Sequence, residues 1–239
     1  MIVPPLLDVQ RLSVFYPGSS GGLVLEDLSF SVAEGEKIAL LGANGAGKST
    51  LFLTLLGVLA IHSGSVEVEG LVLDKKSLPA IRRKIGLIFQ NPDDQLFMPT
   101  VYEDVLFGPQ NAAPTDSADI GKAAQDILER LEITRLKDRM PHKLSGGEKR
   151  LAALAGVLVM EPRLLLMDEP TAFLDPRARR RLVAVLKTLP QTYIIATHDF
   201  GLALDLCTRC IVLDKGRIRA DGPAAALIGD KALLEDCGL

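Results

Sequence analysis

Short apolar runs alternate with segments of helical spacing along most of this chain. Helices are predicted at 48–59 and 120–131, where leucine, isoleucine and alanine recur every three or four residues. Short runs that end at glycine, proline or polar residues predict strands at 6–15, 23–32, 38–41, 85–90, 164–169, 192–197 and 211–213. Such alternation is typical of an α/β protein with a largely parallel sheet.

The pattern changes after residue 91. A turn-rich cluster at 91–95 leads into a short helical segment at 99–107, a loop at 108–117 and further helices. Residues 92–157 are therefore predicted to form a helical subdomain inserted between strands of one sheet. The α/β core is predicted at 1–91 and 158–239, within a single domain that covers 1–239.

One glycine-rich stretch between a predicted strand and a predicted helix fits the pattern G-x-x-x-x-G-K-[ST]. The stretch consists of Gly42, Ala43, Asn44, Gly45, Ala46, Gly47, Lys48, Ser49 and Thr50. Its glycines let consecutive N–H groups point at one anion, and the helix adds about half a positive charge at its first turn. Lys48 is predicted to reach the β- and γ-phosphates, and Ser49 to ligate Mg²⁺. The stretch therefore predicts a site for a nucleoside triphosphate.

Polar side chains stand at the ends of further predicted strands, at Gln90, Asp168, Glu169 and His198. Because open parallel sheets bind ligands at the carboxyl ends of their strands, we expect these side chains to meet the phosphates. Asp168 is predicted to order the Mg²⁺ shell, and Glu169 to polarise the attacking water. His198 is predicted to hydrogen-bond the γ-phosphate.

A second anion site is predicted at Ser145, Gly146 and Gly147, which open the apolar helix that follows. Ser145 and Glu148 fit a capping box, and this alone would explain a helix start. A capping box does not require two glycines, however, and these glycines leave N–H groups bare. The segment is therefore predicted to receive a phosphate from outside this chain.

Two further residues, outside these motifs, are candidates for a specific role. Tyr16 lies upstream of the glycine-rich stretch, where its ring would either stack on a nucleotide base or serve as an ordinary aromatic at a strand end. Asp175 precedes Pro176 and is predicted to be the N-cap of a helix. The arginines at 177 and 179–181 are interpreted as a solvated face.

Composition narrows the classes of function. The chain has 239 residues, 48% of them hydrophobic, and a formal net charge of −3, so nothing indicates general attraction to nucleic acid or anionic lipid. The longest uninterrupted apolar run, at 151–160, is about half of the roughly 20 residues that span a bilayer. No signal peptide is expected. We expect a cytoplasmic protein that reaches a membrane only through a partner.

In their order, these motifs resemble the nucleotide-binding subunits of ABC transporters. The glycine-rich stretch, Gln90, Leu-Ser-Gly-Gly at 144–147, the strand at 164–169, Asp175 and His198 follow one another as in that family. A narrower match follows Gln90. Asn-Pro-Asp-Asp-Gln-Leu-Phe at 91–97, with Glu-Asp-Val at 103–105 and Phe-Gly-Pro at 107–109, resembles the ATPases of energy-coupling factor importers.

The resemblance implies a fold and a set of partners. The fold would be that of an ABC ATPase: a phosphate-loop NTPase with a RecA-like core sheet, an N-terminal antiparallel β subdomain and an inserted helical subdomain. ATP with Mg²⁺ would be bound by a homodimer, or by a heterodimer with a similar ATPase. A transmembrane coupling subunit and a substrate-binding membrane subunit would hold the protein at the cytoplasmic face of the cell membrane.

The resemblance also implies roles for residues. Tyr16 would stack on adenine, Gln90 would contact Mg²⁺ and water, and Glu169 would be the general base. The segment 145–147 would contact the ATP of the opposite subunit, and Asp175 would belong to the same nucleotide site. The segment after Gln90 would grip the coupling helices of the membrane subunit.

Two residues depart from the family pattern. Glu148 stands where most ABC proteins have Gln, although the energy-coupling group often has Glu. Phe173 is bulkier than the small residue usual before Leu174 and Asp175, which bears on the cross-subunit contact of this loop.

The cargo stays open between a transition metal, cobalt or nickel, which is favoured, and a vitamin such as biotin. The competing class is a soluble ABC ATPase that acts on ribosomes or DNA. Such proteins usually carry two of these domains or a long coiled-coil insert, and this sequence has neither.

Overall fold

The computed structural model describes residues 4–16, 22–112 and 117–239. Its strands are β1 Leu7–Val14, β2 Leu25–Val32, β3 Lys37–Leu41, β4 Ser63–Val68, β5 Leu71–Val72, β6 Ile85–Ile88, β7 Leu164–Asp168, β8 Thr192–Thr197, β9 Arg209–Asp214 and β10 Arg217–Pro223. Its α-helices are α1 Lys48–Leu55, α2 Leu78–Lys84, α3 Val101–Ala112, α4 Ser117–Arg130, α5 Gly146–Leu158, α6 Pro176–Thr188, α7 Phe200–Leu206, α8 Ala224–Gly229 and α9 Lys231–Asp236.

The chain divides into two compact units. The first unit comprises Met1–Ile85, Arg163–Asp168 and Pro190–Leu239, and the second comprises Gly86–Pro162 and Glu169–Leu189. The predicted boundaries of the inserted subdomain, at 92 and 157, stay a prediction.

An antiparallel sheet occupies the N-terminal part of the first unit. Its strand order is β2-β1-β4-β5, and β1 pairs antiparallel with both of its neighbours. Along β2, buried Leu28, Phe30 and Val32 alternate with exposed residues, as expected for strands that pack on one face only. This sheet confirms the predicted antiparallel β subdomain.

The core of the first unit is a mainly parallel sheet. Within this unit the strand order is β10-β9-β3-β8-β7, with β3 parallel to both β8 and β9, and β7 parallel to β8. Every residue of β8 is buried, because parallel strands have both faces covered. The registers pair Leu41 with Thr197 and Asp168 with Ala196. The residues that follow β3, β7 and β8 therefore emerge at one edge, and the predicted α/β fold is confirmed.

The second unit is mainly helical. Helix α5 packs against α3, α4 and α6, which explains why Leu151 to Ala155 are all buried. None of the helices in the described ranges is both long enough and apolar enough to cross a membrane.

Helix α3 is longer than predicted. It continues to Ala112 and includes Gly108 and Pro109, so the loop prediction is wrong for 108–112. A Cβ atom on Gly108 would lie 2.9 Å from the sulfur of Met160, so the helix approaches a neighbouring segment closely at this glycine. Tertiary packing here outweighs weak helix propensity. The rest of the predicted loop includes residues 113–116, which lie outside the described residues.

Candidate functional site

The glycine-rich stretch forms a tight turn between β3 and α1 in the first unit. Gly45 and Gly47 have φ values of 83° and 107°, a conformation that only glycine adopts without strain. A Cβ on Gly42 would lie 2.5 Å from the carbonyl oxygen of Leu213. Helix α1 begins after Gly47 with no side-chain cap. Its first N–H groups therefore depend on another acceptor, as in an anion-binding loop.

Lys48 is folded onto this turn. Its side chain is buried, and Nζ donates hydrogen bonds to the carbonyl oxygens of Gly42 at 2.6 Å and Ala43 at 3.2 Å. These contacts fix the ammonium group beside the turn. A positive charge held there, together with the helix start, makes the turn suited to a phosphate chain.

Two predicted Mg²⁺ ligands lie side by side. Ser49 Oγ donates to Asp168 Oδ2 at 2.6 Å, although the two residues are 119 positions apart in sequence. Both belong to the first unit, Ser49 in α1 and Asp168 at the carboxyl end of β7. A hydroxyl and a carboxylate are hard oxygen donors of the type that Mg²⁺ prefers. That they bind Mg²⁺ stays a prediction.

His198 lies at the same edge of the parallel sheet, directly after β8. It is exposed and is followed by Asp199, which caps α7 by accepting from Leu202 N at 2.9 Å. The buried hydroxyl of Thr197 accepts from Asp199 N at 3.0 Å. The backbone on both sides of His198 is therefore fixed. Its predicted bond to a γ-phosphate stays a prediction.

Tyr16 follows β1 with its ring about half exposed, at 48%. The next residues, 17–21, lie outside the described part of the chain. The ring is accessible for the predicted stacking on adenine, and that role stays a prediction.

The second unit resumes at Glu169 in an unusual conformation. Glu169 has φ 44° and is buried, and its carbonyl oxygen accepts from Ala172 N at 3.0 Å. A left-handed backbone costs a non-glycine residue roughly 1–2 kcal/mol, and such residues cluster at functional sites. Phe173, four residues later, also has positive φ, 62°, and its side chain is 95% exposed.

The predicted capping box at the start of α5 is confirmed. Ser145 Oγ accepts from Glu148 N at 3.3 Å, while Glu148 Oε2 accepts from Ser145 N at 3.0 Å. Across the described residues, the N–H groups of Gly146 and Gly147 have no acceptor. A Cβ on Gly147 would lie 2.6 Å from Ala178 Cβ, whereas a Cβ on Gly146 would make only an ordinary contact. Gly147 is therefore required for close packing on α6, and Gly146 is not.

A cleft of about 550 Å³ opens beside this helix start. It is lined by Ser145 and Gly147 and by Arg135, Arg177 and Arg181. Arg181 Nη2 donates to the carbonyl oxygen of Glu132 at 3.1 Å. The Arg181 side chain is still 37% exposed, so this bond does not contradict the interpretation of these arginines as a solvated face, which stays a prediction. No sequence motif marks Arg135, because its place beside the cleft depends on how the helices pack.

Arg135 compensates the carboxylate of the capping box. Its Nη2 donates to Glu148 Oε1 at 2.8 Å. The Ser145 backbone N–H holds the pKa of Glu148 below its ordinary value, and Arg135 lowers the same pKa further against the effect of burial. Glu148 is thus an anion at neutral pH, and a cation neutralises it beside two bare N–H groups.

Asp175 caps α6, as predicted. Its Oδ1 accepts from Arg177 N at 2.8 Å and Ala178 N at 3.0 Å, with Pro176 in the first turn. These backbone N–H groups, that of Ala178 foremost, lower the pKa of Asp175. The geometry explains Asp175 as a helix cap, and contact with nucleotide stays a prediction.

Gln90 and the segment after it belong to the second unit. The Gln90 side chain is exposed, and its carbonyl oxygen accepts from Arg150 Nη2 at 2.8 Å. Its predicted contact with Mg²⁺ and water stays a prediction.

Exposed apolar side chains gather in the same unit. Phe97, Phe107 and Met140 are 62%, 41% and 45% exposed, and the two phenylalanine rings meet edge to face at 4.8 Å. Beside them lies a cleft of about 300 Å³, whose lining includes Asp93, Phe97, Met140 and His142. A cluster of large apolar side chains with a polar rim is typical of a protein-docking surface. We call Phe97, Phe107 and Met140 the aromatic patch.

Comparison with known proteins gives a consistent family. The ABC transporter family model matches residues 25–172. The chain is 43% identical to the cobalt import ATP-binding protein CbiO of Rhodobacter capsulatus, over 98% of this chain and 85% of that protein. It is 42% identical to the energy-coupling factor transporter ATP-binding protein EcfA of Carboxydothermus hydrogenoformans, over 98% and 86%.

Solved structures agree in fold. The structure of cbiO1 from Clostridium perfringens, part of the ABC transporter complex cbiONQ, superposes with a TM-score of 0.85 at 38% identity, covering 97% of this chain and 94% of that one. A dimeric ATP-binding cassette in a post-hydrolysis state, bound to ADP and Pi, gives a TM-score of 0.80 at 26% identity, covering 91% and 98%.

Proposed function

The chain belongs to the ABC transporter family and is an ATPase, and from this premise we propose that it drives an energy-coupling factor importer. Its similarity to EcfA and CbiO supports that type of importer. The observation that carries the proposal is the aromatic patch, because an ATPase that couples to a membrane subunit needs a surface of this kind.

Hydrolysis would use side chains and backbone groups from both units of the chain. The N–H groups of the glycine-rich turn and Lys48 would hold the phosphates. Glu169 would accept the proton of the attacking water, and His198 would hold the γ-phosphate. Gln90 would orient the water.

The donor set at Ser49 and Asp168 fits Mg²⁺, since both oxygens are hard and only 2.6 Å apart. Gln90 would contact the ion as well, and phosphate oxygens and water would supply further ligands. When bound, Mg²⁺ neutralises charge on the β- and γ-phosphates.

A second subunit would complete each site. The bare N–H groups of Gly146 and Gly147, beside arginine-lined walls, support a role in binding the γ-phosphate of ATP held by that subunit. The similar cassette that is dimeric with ADP and Pi supports the same arrangement. This chain carries both halves, so a homodimer would have two complete sites, and a heterodimer with a similar ATPase is the alternative.

Membrane subunits would determine where the ATPase acts and which solute is transported. A transmembrane coupling subunit would seat on the aromatic patch, and a substrate-binding subunit would choose the solute. ATP hydrolysis would then take place at the cytoplasmic face of the cell membrane. Similarity to a cobalt import protein favours cobalt or nickel over a vitamin.

The test is uptake by the reconstituted complex. The chain is co-expressed with its membrane partners and placed in vesicles that contain ATP, and Co²⁺, Ni²⁺ or biotin uptake is followed. We expect uptake with the natural chain and none with Glu169→Gln, which should still bind ATP and accumulate as a closed dimer in gel filtration.

The role of the aromatic patch in binding the membrane subunits is tested with the same complex. Phe97→Asp should prevent co-purification of the membrane subunits, because it buries a charge in the patch. Val58→Asp, at a 59% exposed position of the first unit, is the matched control and should not. ATPase activity stimulated by ribosomes or DNA but indifferent to membrane partners would contradict the proposal.

A further inference from the structure

Arg150 is a buried cation in the second turn of α5. Only 2% of its surface is exposed, and within the described ranges no carboxylate pairs with it. Burial lowers the pKa of its guanidinium. Charges removed from water are normally paired or replaced by apolar groups. The backbone groups that Arg150 contacts are therefore the place to look for its role.

Its partners are two consecutive backbone carbonyls. Nη1 donates to Phe89 O at 2.6 Å and Nη2 to Gln90 O at 2.8 Å, while Nε has no acceptor. The two carbonyls follow the last residue of β6. Charge-assisted bonds of this length are stronger than neutral ones, so the planar guanidinium fixes the position of both peptide groups.

A second side chain joins the same two segments. Gln95 Oε1 accepts from Phe89 N at 3.2 Å, and its Nε2 donates to Ala153 O in α5 at 3.1 Å. At the surface, Lys149 Nζ bonds Asp93 Oδ1 at 2.5 Å. Phe89 is thus held through both its N–H and its C=O. The segment that carries Gln90 is connected to α5 at three successive places.

We propose that Arg150 is a positioning residue for Gln90, tying its backbone to the helix that begins at Gly146. Gln90 and the anion-binding start of α5 then move as one body. The inference rests on the proposed function, in which Gln90 orients the attacking water and α5 meets the ATP of the other subunit. Because the side chain of Gln90 is exposed, the fixed backbone is what limits where its amide can point.

Loss of this connection should affect turnover more than binding. Small displacements of an orienting group cost up to about a hundredfold in rate, so we expect Arg150→Met to lower kcat about tenfold to a hundredfold. The KM for ATP should change little, because the glycine-rich turn and Lys48 are untouched. Arg150→Lys keeps the charge and one hydrogen bond, and should recover part of the rate.

The experiment is a double-mutant cycle on the full chain, with Gln90→Ala, Arg150→Met and their combination. If Arg150 acts through Gln90, the double variant should be no slower than the slower single variant. Gln95→Leu, a milder change at a half-buried position, should show the same non-additivity and serves where Arg150→Met does not fold. Arg130→Met, an exposed arginine of the same unit, is the matched control.

Losses that multiply in the double variant, or a lower melting temperature with unchanged kcat, would overturn the inference. Wild-type turnover of Gln90→Ala would instead overturn the role given to Gln90 in the proposed function. The two failures are therefore distinguishable in one set of measurements.

Discussion

The N-terminal ends of helices α1 and α5 differ in how their first N–H groups are capped. Helix α1 begins at Lys48, after Gly47, with no side-chain cap and with the side chain of Lys48 buried beside it. Helix α5 begins at Gly146, after Ser145, with a complete capping box whose carboxylate is paired with Arg135. In the proposed function, the first start holds phosphate within its own chain. The second start is capped by its own side chains and leaves two N–H groups without an acceptor among the described residues, and in the proposed function it completes the site of another subunit.

Of the substitutions that test this difference, Lys48→Ala should have the largest effect, which is on ATP affinity. It removes the cation at the start of α1, and we expect ATP affinity of the isolated chain to fall about a hundredfold, as for loss of a charge-assisted phosphate contact. Titration with a fluorescent ATP analogue measures this. Lys75→Ala, an exposed lysine of the same unit, is the control. Unchanged affinity in Lys48→Ala would remove the distinction between the two starts.

Gly146→Asp should separate binding from turnover. It places a negative charge at the start of α5, where a Cβ meets only an ordinary contact with Leu174. We expect ATP affinity of the single chain to stay within about twofold while turnover falls at least tenfold, since repulsion acts only on the other subunit's ATP. Gly147→Ala, by contrast, should lower the melting temperature, because its Cβ would lie 2.6 Å from Ala178 Cβ. An equal loss of affinity in Gly146→Asp and Lys48→Ala would contradict this division.

Arg135→Ala should have a smaller effect, of electrostatic origin. It leaves Glu148 uncompensated beside the incoming phosphate, and we expect the KM for ATP to rise about threefold to tenfold. In a Glu148→Gln background the same substitution should change KM by less than about twofold. Steady-state kinetics of the four variants test this. Equal increases in both backgrounds would show that Arg135 does not act through Glu148.

Much of this arrangement could be predicted, because it follows from short motifs and from the order of the strands. The glycine-rich turn follows from its motif, and the pairing of Ser49 with Asp168 follows from parallel strands that end at one edge. The helical conformation of 108–112 and the burial of Arg150 could not be predicted from the sequence. Both depend on which helices pack against α5, and one sequence does not display that. The capping box follows from the motif Ser145-x-x-Glu148, whereas the ion pair of Arg135 with Glu148 depends on tertiary packing across 13 residues and has no motif.

The central claim is that the start of α1 and the start of α5 act in different subunits of one ATP site. The direct test mixes Lys48→Ala with Gly146→Asp subunits, each nearly inactive alone, and measures ATP hydrolysis. Mixed dimers would hold one intact site, so random pairing predicts about a quarter of the natural activity. Activity no greater than that of the two variants measured separately would contradict the claim.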